Sequence, residues 1–465
     1  MITLSPQSSI AVIGFGRVGH IITQYLLQKR MVIYAYDDNE KIFKKEKLVH
    51  LTRHPQFKIM NNYRWSISDK QPNFAICSPG IPKQNKIIKF LTSASIPIFD
   101  EIEITQHLLT QSRKLRLLNK FSQWVYPYIA ITGTNGKSTT TSLLGRILDA
   151  DGRNVFWGGN LAPGLPFSIT LFQESKDYYV IEVSSFQLER CLEFHPHIAI
   201  LLNITADHLD RHTSLLNYQK TKFKIFSNQT KKDYAIINFE DEILMANRYL
   251  IQSKIIYFSK NRKVKGAYLA NNQIFYNDEK ICTLDIVKLF GSQYIDSILA
   301  SICAAKLIGI KNKSIINVLK NFSGLEHRLE FIAEINGVKY INNSMCTNPS
   351  AGVATLESFN KPIILIVGGK EKNLDVNEYI KAVTNKIKYT ILIGENRQHL
   401  GKLLEAEGYN NFQLTESLKK AVVIASKHAG PGDIILFSPG FASFDSFSNF
   451  QERGNVFKEI VYALQ

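Results

Sequence analysis

Residues 131–140 read ITGTNGKSTT, and this stretch decides the fold of the chain. The apolar run at 128–131 is typical of a short buried strand, and the pattern that starts at Lys137 is that of an amphipathic helix. A strand, a glycine turn and a helix N-terminus bind polyphosphates, because backbone N–H groups and the helix dipole both favour an anion there. Ile131 takes the place of the first glycine of GxxxxGK[ST], so the sequence predicts a variant phosphate loop.

The residue types in this loop predict its chemistry. Lys137 would reach the outer phosphates, and the Ser138 hydroxyl would bind Mg²⁺. The alternative is an ordinary strand–turn–helix connection that happens to contain Gly-Lys; the strand before it and the run of hydroxyl residues after it favour a phosphate loop. The residues expected around the phosphates are Gly133, Thr134, Asn135, Gly136, Lys137, Ser138 and Thr139.

Composition indicates a globular protein without disulfides. At 465 residues and 45% hydrophobic content, the chain is long enough for about three domains. No apolar run approaches the ~18 residues of a membrane span, and residues 1–9 lack a signal-peptide pattern. The five cysteines form no CxxC pair, which fits a reducing cytoplasm. The net charge of +16 is spread along the chain, so we expect solvated lysine faces and no nucleic-acid or membrane partner.

A second glycine pattern lies near the N-terminus. A strand at 10–13 precedes GFGRVG at 14–19, a helix runs to about Lys29, and the next strand, at 32–36, ends at Asp37. This order is typical of a Rossmann-like fold that binds NAD, although the same turn can hold another diphosphate such as a nucleotide sugar. The motif alone does not decide between these ligands. Further strands are predicted at 74–77, before Ser78-Pro79-Gly80, and at 96–100.

Polar residues follow two predicted strands beside the phosphate loop. Glu182 lies near the end of the apolar run at 178–183, where a carboxylate is a natural ligand for Mg²⁺ or water; a surface glutamate is the alternative. His208 follows the strand at 198–202 and lies between Asp207 and Asp210. A lone histidine is more often structural, but these neighbours favour a metal or phosphate role.

The rest of the chain predicts hairpins, helices and a further α/β region. Short β runs and Asn-Asp turns at 254–284 predict hairpins, and helices are expected at 295–307 and 313–321. Residues 111–127 are expected to bridge two domains, and residues 324–328 to form a hinge. Beyond the hinge, strands at 363–367, 389–393 and 433–437 alternate with helices, which predicts a mostly parallel sheet.

Together, these stretches resemble the Mur ligase family over essentially the whole chain. The motifs that carry the resemblance are GTNGKST at 133–139, EVSSFQLE at 182–189, NxTxDHxDR at 203–211, GLEHRLE at 324–330, and SPGxASxD at 438–445 with FQERG at 450–454. The resemblance implies an α/β fold of three domains: a Rossmann-like UDP-sugar-binding domain (1–115), a central P-loop ATPase-type parallel-sheet domain (116–323), and a Rossmann-like domain that binds the amino-acid acceptor (324–465).

The D-glutamate-adding members of this family have the most similar motifs. The resemblance therefore implies that the carboxylate of UDP-N-acetylmuramoyl-L-alanine attacks the γ-phosphate of ATP to give an acyl phosphate, which the amino group of D-glutamate then attacks. This reaction belongs to peptidoglycan precursor synthesis. The resemblance also implies ATP, two Mg²⁺ ions, a carbamylated Lys222 formed from CO₂, and a monomeric, cytoplasmic enzyme.

The resemblance also implies roles for single residues. Ser138 and Glu182 would hold one Mg²⁺, and His208 and carbamylated Lys222 would hold the second. The alternative for Lys222 is a solvated lysine like its neighbours Lys220 and Lys224. Arg328 would clamp the phosphates, so Lys137, His208, Lys222 and Arg328 are the expected catalytic residues. The expected substrate-binding residues are Gly14, Gly16, Asp37, Ser78, Pro79, Gly80, Asn160 and Ser184, and, for D-glutamate, Thr347, Lys372, Ser443 and Phe450.

Two stretches depart from the family pattern. Residues 343–347 read NSMCT where the family has Asp-Ser-Lys-x-Thr, and residues 293–297 read QYIDS where it has His-Asn-x-x-Asn. These departures leave a different amino-acid acceptor, or a non-catalytic UDP-sugar-binding protein, as alternatives to the ligase. A third class, an NAD-linked oxidoreductase, would explain the first glycine motif but neither the phosphate loop nor the C-terminal region.

Overall fold

A computed structural model describes residues 8–45, 48–60, 71–112, 127–161, 164–289, 294–359, 362–370 and 375–465, with the side chains of 209, 210 and 354 excepted. The described residues form three β-sheets, which confirms the predicted α/β fold. The chain divides into two compact units, Met1–Val287 with Tyr294–Asn321, and Lys288–Gln293 with Phe322–Gln465. Lys372 and most of the predicted bridge at 111–127 lie outside the described residues.

The first sheet is parallel throughout. Its strands are β1 (Ser9–Ile13), β2 (Val32–Tyr36), β3 (Phe57–Ile59), β4 (Phe74–Cys77) and β5 (Ile98–Phe99), in the order β3-β2-β1-β4-β5 of a Rossmann-like fold. The strand predicted at 96–100 is shorter than expected, because the Asp100 side chain accepts the Ile102 N–H and starts a helix. The helices of this part are α1 (Arg17–Gln28), α2 (Val49–Thr52), α3 (Lys86–Ser93) and α4 (Glu101–Gln111).

The central sheet contains the phosphate loop near its middle. Its strands are β6 (Tyr128–Thr132), β7 (Val155–Gly159), β8 (Tyr178–Glu182), β9 (Ile198–Leu201), β10 (Tyr234–Asn238), β11 (Lys254–Ser259), β12 (Gly266–Ala270), β13 (Gln273–Tyr276) and β14 (Glu279–Thr283). The order is β14-β13-β12-β11-β10-β9-β6-β8-β7, so β6 lies between β8 and β9. The sheet is parallel from β7 to β12, and β12–β14 form the predicted antiparallel hairpins.

Helices cover this sheet and follow the predicted periodicity. On the helix after the phosphate loop, Leu143, Leu144, Ile147 and Leu148 are all fully buried. The helix through Lys222 ends at Phe223, and a short 3₁₀ turn follows at Lys224–Phe226. The helices are α5 (Lys137–Ala150), α6 (Ser185–Leu188), α7 (Leu209–His212), α8 (Leu215–Phe223), α9 (Glu242–Ala246), α10 (Ile295–Leu307) and α11 (Asn312–Asn321).

The third sheet lies in the second unit and is mostly parallel, as predicted. Its strands are β15 (Glu330–Ile335), β16 (Val338–Asn342), β17 (Ile363–Gly368), β18 (Ile387–Ile393), β19 (Phe412–Leu414) and β20 (Ile434–Phe437). The order is β15-β16-β20-β17-β18-β19, with only the β15–β16 pair antiparallel among the described strands. The helices are α12 (Pro349–Glu357), α13 (Asn377–Lys386), α14 (Arg397–Ala406), α15 (Leu418–His428) and α16 (Phe450–Tyr462). Within the described residues, no helix combines the length and the apolar character that crossing a bilayer requires.

Candidate active site

The phosphate loop joins the end of β6 to the first turn of α5. Gly133 and Gly136 both have positive φ, +154° and +84°, and a Cβ on Gly136 would lie 3.0 Å from the Ser297 hydroxyl. Gly136 caps α5 without a side-chain hydrogen bond, so no side chain at the cap position satisfies the N–H groups of the first turn. Free N–H groups at a helix N-terminus are suited to an anion, and phosphate binding by this loop stays a prediction.

Residues after β9 hold the loop in place. Asn203 accepts the Asn135 N–H at its side-chain oxygen (2.8 Å), and its own amide donates to the Asn135 carbonyl (3.2 Å). The Thr205 N–H donates to the Thr134 hydroxyl (3.0 Å), which donates to the Thr205 carbonyl (3.2 Å). No role for Asn203 or Thr205 was predicted from the sequence. The only signal was their place in the NxTxDHxDR motif, where both residues fix the loop backbone.

Two lysines approach one carbonyl oxygen of the loop. The Lys137 ammonium donates to the carbonyls of Gly133 (2.9 Å) and Thr134 (2.7 Å), and Lys222 Nζ donates to the same Gly133 oxygen (2.7 Å). Lys222 is 1% exposed and lies over the Tyr218 ring, 4.6 Å from its centroid. Burial, and then the charge of Lys137, lower the pKa of Lys222 well below its usual value. Lys222 is therefore a buried amine beside the phosphate loop, and the alternative of a solvated lysine is wrong.

Glu182 lies at the end of β8, opposite Ile131 in the parallel register with β6. It is 2% exposed, and its Oε1 accepts the Asn160 side-chain amide at 3.1 Å. Its Oε2 is buried and has no hydrogen-bond partner among the described residues. A buried carboxylate oxygen without a partner is costly unless a cation or water completes it, so Glu182 fits a Mg²⁺ ligand. Asn160 therefore contacts a predicted metal ligand.

His208 lies nearer the surface than the other predicted ligands. Its side chain is 49% exposed, its φ is +53°, and its ring packs against Phe186 with centroids 4.9 Å apart. His208 Nε2 lies 3.4 Å from an Asp207 carboxylate oxygen. Within the described ranges, no three or more His, Cys, Asp and Glu side chains are grouped to hold a metal ion. The predicted magnesium ligands are not a group of that type, because they include one carboxylate and one imidazole together with the Ser138 hydroxyl and the modified Lys222.

The glycine turn after β1 is closed by Asp37 and Ser78. Asp37 accepts the Phe15 N–H at 2.7 Å, and the Ser78 hydroxyl donates to the Gly14 carbonyl at 3.1 Å. Gly14 has φ +89°, and a Cβ there would lie 2.7 Å from Ser78 Oγ, so the turn requires glycine. A Cβ on Gly16 would meet nothing within 4 Å, which leaves open space beside the turn. The carboxylate of Asp37 is thus used, at least in part, to hold the turn itself.

Ser184 and Ser138 occupy different environments. Ser184 caps α6 in a capping box, where its hydroxyl accepts the Gln187 N–H at 3.3 Å. Its predicted contact with substrate must therefore share the hydroxyl with this cap. Ser138 is 2% exposed and is the second residue of α5, directly after Lys137. This is the position expected of a hydroxyl that binds a metal beside the phosphates.

In the second unit, Arg328 lies between two residues with left-handed backbone. The φ angles of His327 and Leu329 are +63° and +46°, an uncommon conformation for side chains of this size. His327 is 1% exposed, and Asn342 Nδ2 lies 3.1 Å from its ring Nδ1. The half-buried Arg328 is therefore flanked by tightly constrained neighbours. Ser443 is 1% exposed, Thr347 is half-buried, and Phe450 is the first residue of α16.

The stretch that departs from the family pattern is well packed. Asn343 is 5% exposed; its amide donates to the hydroxyls of Thr355 and Ser438, both at 3.0 Å, and its oxygen accepts the Leu329 N–H at 3.2 Å. The buried Arg453 guanidinium donates to the Ser344 hydroxyl (3.1 Å), the Ser344 carbonyl (2.9 Å) and the Phe441 carbonyl (3.0 Å). Arg453, which was not predicted as a site residue, lies within the FQERG motif and joins Ser344 to the loop after β20.

Comparisons with known proteins extend over the whole chain. Two family profiles match: the Mur ligase middle domain at residues 131–305, and the Mur ligase, glutamate ligase domain at residues 327–441. The chain is 35% identical to the UDP-N-acetylmuramoylalanine–D-glutamate ligase of Pelotomaculum thermopropionicum, over 99% of this chain and 98% of that one. It is 34% identical to the protein of the same name from Thermoanaerobacter pseudethanolicus, over 98% of each chain.

Solved structures share the fold at low sequence identity. The UDP-N-acetylmuramate–alanine ligase of Thermotoga maritima superposes with a TM-score of 0.55 at 17% identity, over 98% of this chain and 100% of that one. The MurF ligase of Thermotoga maritima, solved in complex with ADP, gives a TM-score of 0.55 at 16% identity, over 99% and 96% of the two chains.

Proposed function

The chain belongs to the Mur ligase family, and from that membership we propose that it is an ATP-dependent ligase that joins D-glutamate to UDP-N-acetylmuramoyl-L-alanine in peptidoglycan precursor synthesis. The observation that carries the proposal at the site is the phosphate loop, with Lys137 and the buried Lys222 bound to one loop carbonyl. An NAD-linked oxidoreductase would use only the first sheet and would not explain the phosphate loop or its two lysines.

The reaction proceeds in two steps. A carboxylate oxygen of the UDP-sugar attacks the γ-phosphorus of ATP, the bond to the bridging oxygen breaks, and ADP leaves an acyl phosphate. The D-glutamate amine then attacks the acyl carbon, loses a proton, and expels inorganic phosphate. Negative charge accumulates at the transferring phosphoryl group, so catalysis depends on positioning and on cationic groups, here Lys137 and Arg328.

Mg²⁺ is expected to bind beside the loop. When bound, it neutralises the charge on the phosphate oxygens. Ser138 and Glu182 would hold one ion, and the partnerless Oε2 of Glu182 supports that role. His208 and the modified Lys222 would hold the second, and the His208 side chain, 49% exposed, is accessible to a bound ion.

Lys222 is suited to carbamylation. Carbamylation requires the neutral amine, whose nitrogen attacks CO₂ and releases a proton to leave a carbamate anion. Burial and the neighbouring Lys137 favour that neutral amine, because they lower the pKa of Lys222. An ammonium would repel a metal ion, whereas a carbamate offers an anionic oxygen. The modification therefore turns a buried amine that opposes metal binding into a metal ligand.

The acceptor would bind in the second unit. Thr347, Lys372, Ser443 and Phe450 are the residues we assign to D-glutamate. Arg328, in the GLEHRLE motif of the same unit, is assigned to the phosphates. We further propose that the enzyme acts as a monomer in the cytoplasm, where ATP is available and where its five free, buried cysteines would remain reduced.

An amino-acid panel tests this function. Phosphate release is measured with ATP, Mg²⁺ and UDP-N-acetylmuramoyl-L-alanine, adding D-glutamate, L-glutamate, D-aspartate or L-lysine in separate reactions. We expect release only with D-glutamate, and a product heavier by one glutamyl residue. Faster release with another amino acid would overturn the acceptor assignment. Absence of release with every acceptor would favour the non-catalytic alternative.

A further inference from the structure

Two arginines of the central part hold a turn of the first sheet. We call residues 78–81, which follow β4, the 78–81 turn. Arg190 donates to the carbonyls of Ser78 (3.3 Å) and Ile81 (2.6 Å), and Arg211 donates to the carbonyls of Pro79 (2.7 Å) and Ile81 (3.3 Å). Two guanidinium groups thus bind one short turn through three of its backbone oxygens.

Both arginines are themselves held in place. Arg190 is 7% exposed. Its backbone carbonyl accepts the N–H of Asp100, the residue that follows β5, at 3.3 Å. The Arg211 side chain is 10% exposed and pairs with the buried Glu189 carboxylate at 3.1 Å. These contacts restrict where each guanidinium can lie.

Arg211 also contacts residues around His208, in the proposed catalytic region. Its guanidinium lies 4.1 Å from the centroid of the Phe186 ring, and the same ring packs against His208 at 4.9 Å. Its N–H donates to the His208 carbonyl at 3.1 Å. The Arg211 guanidinium therefore donates to the 78–81 turn and also packs against Phe186, the ring that contacts His208. The Arg211 backbone N–H bonds to His208 itself.

We propose that Arg211 and Arg190 are positioning residues for the ligase reaction: Arg190 fixes the 78–81 turn, and Arg211 fixes that turn and His208 relative to each other. The inference rests on the proposed function, in which the turn belongs to the UDP-sugar site and His208 to the metal site. The sugar substrate spans both, with its nucleotide at one and its reacting carboxylate at the other. A small displacement between them separates the reacting atoms, which costs rate even when binding survives.

Lysine cannot replace either arginine in this role. Each guanidinium donates to two or three acceptors in a fixed plane, and Arg211 also presents a flat face to Phe186. A lysine ammonium keeps the charge but neither the planar fork nor the stacked face. Arg→Lys variants therefore remove the geometry while leaving the charge, which separates positioning from electrostatics.

Three variants distinguish the contacts. Arg190→Lys should raise the KM for the UDP-sugar about tenfold, the typical effect of one lost charge-assisted hydrogen bond, with little change in kcat. Phe186→Leu keeps both arginines but removes the ring between Arg211 and His208, so it should lower kcat and leave that KM near the wild-type value. Arg211→Lys should do both. Arg153→Lys, at a partly exposed arginine that pairs with Asp151, is the matched control and should behave as wild type.

KM values, binding constants and melting temperatures distinguish a loss of positioning from a general loss of stability. The KM values for ATP and D-glutamate should stay within about twofold of wild type. Calorimetric titration with UDP-N-acetylmuramoyl-L-alanine, without ATP, should show weaker binding for Arg190→Lys and Arg211→Lys only. Equal changes in all three KM values together with a lowered melting temperature, or wild-type kinetics for Arg211→Lys, would overturn the inference.

The same titration separates this inference from the proposed function. A wild type that binds the UDP-sugar but releases no phosphate would refute the ligase assignment, and the comparison of dissociation constants would still test the arginines. If Arg211→Lys does not fold, Arg190→Lys and Phe186→Leu carry the test, because a change in KM alone for the first and in kcat alone for the second is expected only if the two contacts have separate roles.

Discussion

Replacing Lys222 with alanine should nearly abolish ligase activity, and acetate or formate should restore part of it. Lys137 Nζ and Lys222 Nζ lie 2.9 Å and 2.7 Å from the same Gly133 oxygen. The two nitrogens are therefore at most about 5.6 Å apart, and as unit charges at an effective dielectric of about 20 they would repel by about 3 kcal/mol. A carbamate on Lys222 would replace this repulsion with attraction of similar size.

Loss of the carbamate should therefore cost about 3 kcal/mol of transition-state stabilisation, or on the order of a hundredfold in rate. Alanine leaves a cavity beside the phosphate loop, and a small carboxylate can supply the missing anionic oxygen there. Lys222→Met is the informative comparison, because its side chain refills the space without charge. It should be as inactive as Lys222→Ala and should not respond to acetate.

The assay is phosphate release at saturating ATP, UDP-sugar and D-glutamate, with and without added acetate, and with dissolved CO₂ removed for the wild type. Lys220→Ala is the matched control, since Lys220 is exposed on the same helix. It should keep wild-type activity and ignore acetate. Activity of Lys222→Ala equal to that of Lys220→Ala would refute the reasoning, and so would a folded, ATP-binding Lys222→Ala that no carboxylate restores.

Three further predictions concern other parts of the chain. Lys137→Ala should lower kcat more than about a hundredfold, because its charge is needed where the phosphoryl group transfers; unchanged phosphate release at saturating ATP would exclude that role. Burial, and then Glu101, raise the pKa of Asp100 from 3.8 to about 8, so the folded state holds a proton that the unfolded chain loses. Stability should thus fall as pH rises between about 4 and about 8, by up to ~1.4 kcal/mol per pH unit. Urea titrations across this range should show a flatter dependence for Asp100→Asn, and an unchanged slope would contradict the assignment. Asn343→Asp should cost about 1–3 kcal/mol in urea unfolding, because the Thr355 hydroxyl that accepts from Asn343 already donates to Ala351; a neutral effect would mean that the hydroxyls reorient.

Local patterns in the sequence predicted the elements of the site. The phosphate loop lies between a strand and a helix that are contiguous in the sequence, so its place could be predicted from adjacent residues, although Asn203 and Thr205 also hold its backbone. The same holds for the glycine turn after β1 and for the hairpins at 254–284. Ends of elements were less predictable: β5 stops at Phe99 because Asp100 uses its side chain to cap α4.

Contacts between segments that are distant in the chain could not be predicted from the sequence. Lys222 was selected by its place in a motif alone, and its burial and its bond to the Gly133 carbonyl depend on packing across 89 residues. Asn203 meets the phosphate loop across 68 residues, and Arg211 meets Pro79 across 132. In the sequence each of these side chains is an ordinary polar residue, and only the folded arrangement of the strands brings it to its partner.

The most direct test of the central claim follows an oxygen atom. UDP-N-acetylmuramoyl-L-alanine labelled with ¹⁸O in its free carboxylate is incubated with ATP, Mg²⁺, D-glutamate and the enzyme, and the released phosphate is analysed by mass spectrometry. An acyl-phosphate ligase transfers one carboxylate oxygen to each phosphate, so we predict one ¹⁸O per phosphate, released in equal amount with the glutamyl product. Unlabelled phosphate, or phosphate formed without that product, would contradict the account.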